Sequence, residues 1–151
     1  MNRLRNRVPP VLVAALCGLL MWFGTVAEEF SLTLWQLLLA SVLLLLAGAI
    51  CLAAVLGFRR ARTTVNPLAP QQGSSLVESG IYRYSRNPMY LGFVIALLAL
   101  AVVMGSLYAL LGVVAFAVYI HYLQILPEEQ ALQQRFGTSF RSYKQRVGRW
   151  V

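Results

Sequence analysis

The chain has 151 residues, of which 59% are hydrophobic and only 12% are charged. A soluble globular domain carries about 25% charged residues, and it does not need the uninterrupted apolar segments of about 20 residues that cross a bilayer. The composition therefore excludes an ordinary soluble domain and predicts an all-α, polytopic membrane protein. A net charge of +8 is also compatible with a nucleic-acid partner. The positions of the basic residues decide between this and a membrane topology.

Four apolar segments follow one another and are predicted to form one membrane domain over residues 1–151. The predicted transmembrane helices cover residues 11–27, 32–58, 89–104 and 107–126. Pro9 and Pro10 precede the first segment, which suits a helix start, and Glu28 and Glu29 follow it as a polar turn. Arginines precede this segment, but no small-residue cleavage site leads into a soluble domain. We therefore expect an uncleaved span rather than a signal peptide.

Two connections between the later segments differ in character. Residues 63–79 contain Pro67, Pro70 and the tract QQGSS, which predicts a surface connector with little helix. Gly105 and Ser106 interrupt the apolar sequence only briefly, so the third and fourth segments are predicted to form a helical hairpin with a tight turn.

The basic residues predict the orientation of the chain. All 13 Lys and Arg residues lie before the first span, between the second and third, or after the fourth. With four spans these regions share one side of the membrane, and the positive-inside rule places them, with both termini, in the cytoplasm. The charge is then explained by topology and by contact with anionic membrane lipids, so no nucleic-acid partner is predicted.

A polar segment at residues 80–92, with the sequence GIYRYSRNPMYLG, leads directly into the third span. Its polar side chains are Tyr82, Arg83, Tyr84, Ser85, Arg86, Asn87 and Tyr90. One interpretation is an interfacial belt of tyrosines and arginines. The other is a functional site, because polar groups at a membrane are costly unless they are paired or bind a ligand. The order Arg-Asn-Pro-x-Tyr favours the second, since it combines a fixed bend, a guanidinium and an amide.

A second polar cluster, the glutamate pair Glu128 and Glu129, follows Pro127, which is predicted to end the fourth span. Carboxylates are favourable in the first turn of a new helix, so the pair is open to a purely structural interpretation. In the functional interpretation one carboxylate accepts from the ammonium or ribose hydroxyls of a ligand, and the other fixes the arginine of the polar segment. We expect the two clusters to meet at the cytoplasmic face.

The C-terminal segment after Gly137 is predicted to be an interfacial helix. Phe140, Tyr143, Val147 and Trp150 fall near one face, with basic residues around them. This pattern is typical of a helix that lies in the plane of the lipid headgroups.

The remaining chemistry-bearing residues limit the choice of mechanism. His121 lies inside the fourth span, where it either faces the site or packs between helices. Cys17 and Cys51 lie inside apolar segments and are predicted to be buried hydrophobes. Neither has a metal-ligand spacing to another residue, so no metal site is predicted. The chain has no aspartate, which excludes a Ser-His-Asp triad, and no Gly-rich phosphate loop.

At these residues the chain resembles the integral-membrane methyltransferases that include isoprenylcysteine carboxyl methyltransferase and the phospholipid N-methyltransferases. The resemblance rests on the polar segment, on Glu128-Glu129-x-x-Leu132, and on Phe136-Gly137-x-x-Phe140-x-x-Tyr143. It covers about the last half of the chain, and the first 75 residues match only as generic spans. The family's best-known form has histidine where Asn87 stands, and asparagine cannot act as a base near neutral pH.

The resemblance implies an S-adenosylmethionine-dependent methyltransferase that acts on a lipid-like or small hydrophobic acceptor. It places Arg86 and Glu129 in the catalytic site. The cofactor-binding residues would be Tyr82, Arg86, Asn87, Pro88, Tyr90, His121, Glu128 and Glu129, in the elements 80–92 and 127–151. We expect a bacterial inner-membrane protein whose site faces the cytoplasm, and no oligomeric state is predicted.

Two other functions compete with this one. Membrane reductases of the sterol-reductase type, which use NADPH, carry a similar Arg-x-Pro-x-Tyr-x-Gly sequence, but the Glu-Glu-x-x-Leu continuation and the short chain favour the methyltransferase. In a non-catalytic membrane protein both polar clusters would be interfacial anchors.

Overall fold

The computed structural model describes residues 8–25, 31–61 and 76–151. In these ranges every regular element is helical, which confirms the predicted all-α class. The helices are α1 (Pro10–Thr25), α2 (Leu34–Arg60), α3 (Pro88–Met104), α4 (Leu107–Ile120) and α5 (Leu126–Arg146). A 3₁₀ turn, Gly80–Arg83, precedes α3, and a π-helical turn, His121–Ile125, joins α4 to α5. The predicted polar turn at Glu28 and Glu29, the N-terminal arginines and connector residues 63–75 lie outside the described residues.

The helix α3 is the centre of the bundle and contacts α1, α2 and α4. Gly92 permits the close approach of α2, because a Cβ atom there would collide with the sulfur of Cys51. At the opposite end Gln36 donates from Nε2 to the carbonyl of Val102, 3.1 Å away, and so ties the start of α2 to the end of α3. Phe116 and Ile120 of α4 are fully buried in the main core.

The α3–α4 connection is the tight turn expected from the sequence. Gly105 ends α3 in the left-handed conformation, with φ of 63°, which glycine adopts without a steric cost. The side chain of Ser106 then accepts a hydrogen bond from the backbone N–H of Tyr108 and caps α4.

Two helices in the described ranges are long and apolar enough to cross a bilayer, and large apolar side chains are exposed on their surfaces. The helix α2 and the continuous helix Leu107–Arg146 are long and apolar enough to cross a bilayer, whereas α1 and α3 are shorter apolar helices. Large leucine side chains of α2, such as Leu45 and Leu52, point outward from the protein. Exposed leucines on this scale are typical of a surface that contacts lipid, and the four-span topology stays a prediction.

The sequence predicts that Pro127 ends the helix of the fourth apolar segment. In the structure this helix continues past Pro127 into α5. Pro127 has no N–H to donate. It lies in the first turn of α5, directly after the π-helical turn, and the first turn of a helix tolerates proline. A bend occurs instead at Gly137, where φ is 51° and ψ is −115°. The two arms of α5 therefore run in different directions, and the second arm returns toward the polar segment.

The apolar face of the second arm is covered by protein. Phe140, Tyr143 and Val147 are buried together and pack against Leu76, Leu132 and Phe136. The predicted interfacial helix required this face to contact lipid headgroups. The expectation was wrong because the bend at Gly137 folds the arm back on its own chain, which periodicity alone does not reveal.

Candidate active site

The polar segment is shaped by a 3₁₀ turn followed by the proline that opens α3. Gly80 enters the turn with φ of 62°, and Pro88 supplies a φ suited to the first helical turn. Tyr82 is buried, with its ring edge-on to Phe58 at a centroid distance of 5.2 Å. Its carbonyl accepts a hydrogen bond of 2.7 Å from the hydroxyl of Tyr143. The second arm of α5 is thus fastened to the polar segment.

Glu129 is the point where the polar segment and the glutamate pair meet. Its Oε1 lies 3.1 Å from Arg86 Nη2 and accepts a 3.1 Å hydrogen bond from Arg149 Nε. Its Oε2 accepts from Arg149 Nη2 at 2.8 Å and lies 3.6 Å from Lys144 Nζ. Three cations therefore surround one carboxylate, and the cluster keeps a net positive charge.

The charge state of Glu129 follows from these contacts. Both glutamates lie on α5, beyond the apolar part of the continuous helix. Burial by itself raises the pKa of Glu129, but the hydrogen bonds from Arg149 and the charges of Arg86, Arg149 and Lys144 outweigh it and lower the pKa below its ordinary value. Glu129 is a carboxylate at neutral pH.

Glu128 has a different environment, one residue away. Its Oε1 accepts a 2.6 Å hydrogen bond from the hydroxyl of Tyr90 and a 3.0 Å hydrogen bond from Gln124 Nε2. Burial raises the pKa of Glu128 to about 7, although these two hydrogen bonds act in the opposite direction. The pair therefore combines a fixed negative charge with a carboxyl that exchanges its proton near neutrality, and environments that separate two pKa values in this way are typical of acid–base sites.

His121 reaches the site through Arg149. Its Nε2 lies 3.3 Å from Arg149 Nη1. A guanidinium has only donors, so a hydrogen bond in this contact runs from Arg149 to the imidazole nitrogen. His121 belongs to the π-helical turn, and such turns are frequent at functional sites. His121 thus contacts the cluster through Arg149, and its role as a cofactor-binding residue stays a prediction.

Arg86 carries two donors that no described residue accepts from. Its side chain is only 9% exposed, and Nε and Nη1 are buried with no hydrogen-bond partner in the described part of the chain. Leaving a buried donor unpaired costs about 1–3 kcal/mol, and more for a charged group. A guanidinium in this state fits a ligand that offers oxygen acceptors, such as a carboxylate.

A cavity of about 390 Å³ lies beside this cluster, between the arms of α5. Its polar lining consists of Glu129, Gln130, Gln133, Gln134, Lys144 and Arg149. The volume falls within the range of about 300–1,000 Å³ that small-molecule sites occupy. The three amides offer both donors and acceptors, as a polar ligand requires.

The other two predicted cofactor-binding residues, Asn87 and Pro88, contact other parts of the protein in this structure. Asn87 donates from Nδ2 to the carbonyl of Arg149 at 3.0 Å, and Pro88 is buried at the start of α3. The sequence did not single out Gln124, Lys144 or Arg149 as site residues. Gln124 carried a signal, since a glutamine four residues before Glu128 in an apolar helix needs a polar partner.

Comparison with known proteins identifies relatives. The family model for phospholipid methyltransferase matches residues 35–139, more than two thirds of the chain, a range that contains both polar clusters. An uncharacterised protein of Haemophilus influenzae is 43% identical over 63 residues, which are 42% of this chain and 100% of that protein. Methanethiol S-methyltransferase 1 of Bradyrhizobium diazoefficiens is 42% identical over 67 residues, which are 44% of this chain but only 22% of that protein. No solved structure matches the chain.

Proposed function

Because the chain belongs to the phospholipid methyltransferase family, and is therefore a methyltransferase, we propose that it transfers the methyl group of S-adenosylmethionine to a lipid-like or small hydrophobic acceptor at the cytoplasmic membrane face. The observation that carries this proposal is the 3.1 Å contact between Arg86 and Glu129. It joins into one polar site the two segments that resemble the motifs of membrane methyltransferases.

The amino-acid end of S-adenosylmethionine is a zwitterion, and Arg86 and Glu129 are complementary to it. One of the two Arg86 donors that lack a partner among the described residues, Nε or Nη1, would donate to the carboxylate. The ionised Glu129 would hold the ammonium group. Since the two side chains are in contact, they match two charges that are separated by a single carbon atom in the ligand.

The adenosine end would lie in the adjoining cavity. Ribose hydroxyls and adenine nitrogens need both donors and acceptors, and the amides of Gln130, Gln133 and Gln134 provide both. The aromatic rings of Tyr82 and Tyr90 belong to the polar segment and are suited to stabilise a sulfonium cation near the carboxylates.

S-adenosylmethionine supplies a methyl group on a positively charged sulfur, and its transfer is an in-line displacement that needs alignment and exclusion of water more than it needs a metal. Arg86 and Glu129 would fix the amino-acid end and so set the direction of approach. An amine or thiol acceptor also loses a proton. Glu128 is suited to take that proton, because its pKa of about 7 lies near the operating pH.

The membrane supplies the acceptor in this proposal. A hydrophobic acceptor would enter sideways between apolar helices, while the water-soluble cofactor would enter from the cytoplasm, the side that the distribution of basic residues favours for the site. Small acceptors are included because one relative is named for methyl transfer to methanethiol.

The test uses purified protein in lipid nanodiscs with tritium-labelled S-adenosylmethionine, offered a bacterial lipid extract and, separately, small thiols. We expect label in one acceptor class and a fall in rate of about 100-fold or more in Glu128→Gln, because general-base catalysis contributes about that much. Glu78→Gln, which changes a partly exposed carboxylate outside the site, is the matched control. Thermal stabilisation by NADPH without any binding of S-adenosylmethionine would overturn the proposal in favour of a reductase.

A further inference from the structure

The last five residues form a strap over the site, here called the C-terminal strap (residues 147–151). The chain leaves α5 at Val147, whose backbone is extended. The backbone N–H of Arg86 donates to the carbonyl of Gly148 at 3.1 Å, and Asn87 holds the carbonyl of Arg149. Trp150 packs against the main core. The backbone of the strap is therefore hydrogen-bonded to the polar segment at Gly148 and at Arg149.

Arg149 occupies the carboxylate that a cationic ligand would need. A carboxylate offers about four lone-pair sites. Arg149 donates a hydrogen bond to each oxygen of Glu129, while Arg86 Nη2 lies 3.1 Å from Oε1 and Lys144 Nζ lies 3.6 Å from Oε2 as ion pairs. A further cation can bind Glu129 at short distance only if one of these groups withdraws.

Of the three cations, Arg149 is the one that donates to both oxygens, so its withdrawal removes a hydrogen bond from each of them. Arg86 is 9% exposed and belongs to the segment that opens α3, so it is held in place. Lys144 contacts a single oxygen at 3.6 Å, and its departure would leave both oxygens bound. The Arg149 side chain is 28% exposed, lies on the non-helical strap and lines the cavity together with Glu129.

We propose that Arg149 is an internal cation that competes with the ammonium group of S-adenosylmethionine for Glu129, so that the strap releases Glu129 when the cofactor binds. This rests on the proposed function, since it requires the cofactor to use Glu129. While Arg149 is bound to Glu129, the protein cannot hold the ammonium group. The apparent affinity for S-adenosylmethionine is therefore reduced by the fraction of molecules in which Arg149 is bound to Glu129. Arg149 thus lowers the affinity for the cofactor by occupying Glu129, and it takes no part in the methyl transfer.

The experiment measures S-adenosylmethionine binding by calorimetry to the full chain in detergent, for the wild type and for Arg149→Gln. We expect the variant to bind about two- to fivefold more tightly, which corresponds to a partly exposed ion pair that is removed from competition. Arg149→Lys keeps the charge but not the two-oxygen contact, and it should fall between the two. Arg146→Gln is the matched control, because Arg146 pairs with Glu78 and does not touch Glu129; its affinity should equal that of the wild type.

A second ligand separates competition from general loosening of the strap. Methylthioadenosine has the adenosine and the sulfur but no ammonium group, so Arg149→Gln should leave its affinity unchanged. Equal or weaker binding of S-adenosylmethionine by both Arg149 variants would overturn the competition while leaving the proposed function intact. Failure of the folded wild type to bind S-adenosylmethionine at all would instead remove the proposed function, and the competition with it.

Discussion

Glu129→Gln is the substitution whose effect on stability the structure predicts most directly. Removing one partner of a buried ion pair costs about 3–5 kcal/mol, because the other charge stays buried and unpaired. We expect the lower end, about 3 kcal/mol, since only Arg86 is nearly fully buried; Arg149 and the 40% exposed Lys144 each contribute about 1 kcal/mol or less. For a chain of this length the loss corresponds to a fall in Tm of about 6–12 °C.

The effect of Glu129→Gln also depends on pH, and its sign follows from the pKa. Burial raises the pKa of Glu129, but Arg149, Arg86 and Lys144 together depress it below 4.5 in the folded protein. A depressed pKa means that the stabilisation is complete above the unfolded-state value of about 4.5 and is lost as the pH falls through the folded-state pKa. The difference in Tm between wild type and variant should therefore shrink in strong acid.

The assay is thermal unfolding in detergent, followed by circular dichroism, at neutral and at strongly acidic pH. Glu78→Gln is the control, because it removes the same charge from a pair with Arg146 whose side chains are 33% and 66% exposed. We expect that control to cost less than about 1 kcal/mol. If Glu129→Gln lowers Tm at neutral pH no more than the control does, the reasoning about the buried cluster is refuted.

Three further substitutions test other parts of the structure. Tyr90→Phe removes a hydrogen bond that lowers the pKa of Glu128, so its carboxyl infrared band should titrate about one pH unit higher; an unchanged midpoint contradicts the contact. Gly92→Ala should cost about 1–3 kcal/mol by forcing α2 away from α3, whereas Gly48→Ala, with open space around it, should be neutral or stabilising; equal effects contradict the packing. With both native cysteines replaced, Arg141→Cys should react with an impermeant maleimide only from the cytoplasmic side; labelling from the opposite side refutes the predicted topology.

The helices could be predicted because each rests on local composition. Uninterrupted apolar residues set the extent of α2 and α3 to within two residues, and Gly105 with Ser106 marked the turn between α3 and α4. The contact of the polar segment with the glutamate pair could also be anticipated. Both are polar sequences at the ends of apolar helices, and the distribution of the basic residues predicts that those ends share one side of the membrane.

The C-terminal strap could not be predicted in the same way. Arg149 follows Gly148, where the chain turns so tightly that a Cβ atom would collide with the backbone of Val151. The predicted interfacial helix continued its periodicity through Val147 and Trp150. Because α5 ends at Arg146, that periodicity gives the wrong position for the Arg149 side chain. Its contacts with Glu129 and His121 join residues 20 or more positions apart, and side-chain periodicity carries no information about such pairs. The covered face of Phe140 and Tyr143 was misread for the same reason.

The most direct test of a single site built from two segments is photo-crosslinking. Ultraviolet irradiation of the full chain with radiolabelled S-adenosylmethionine, followed by peptide mapping, reports which residues surround the ligand. We expect label in both the polar segment at 80–92 and the C-terminal element at 127–151, and we expect excess S-adenosylhomocysteine to suppress it. Label confined to α1 and α2, or label that the competitor does not displace, would contradict this expectation.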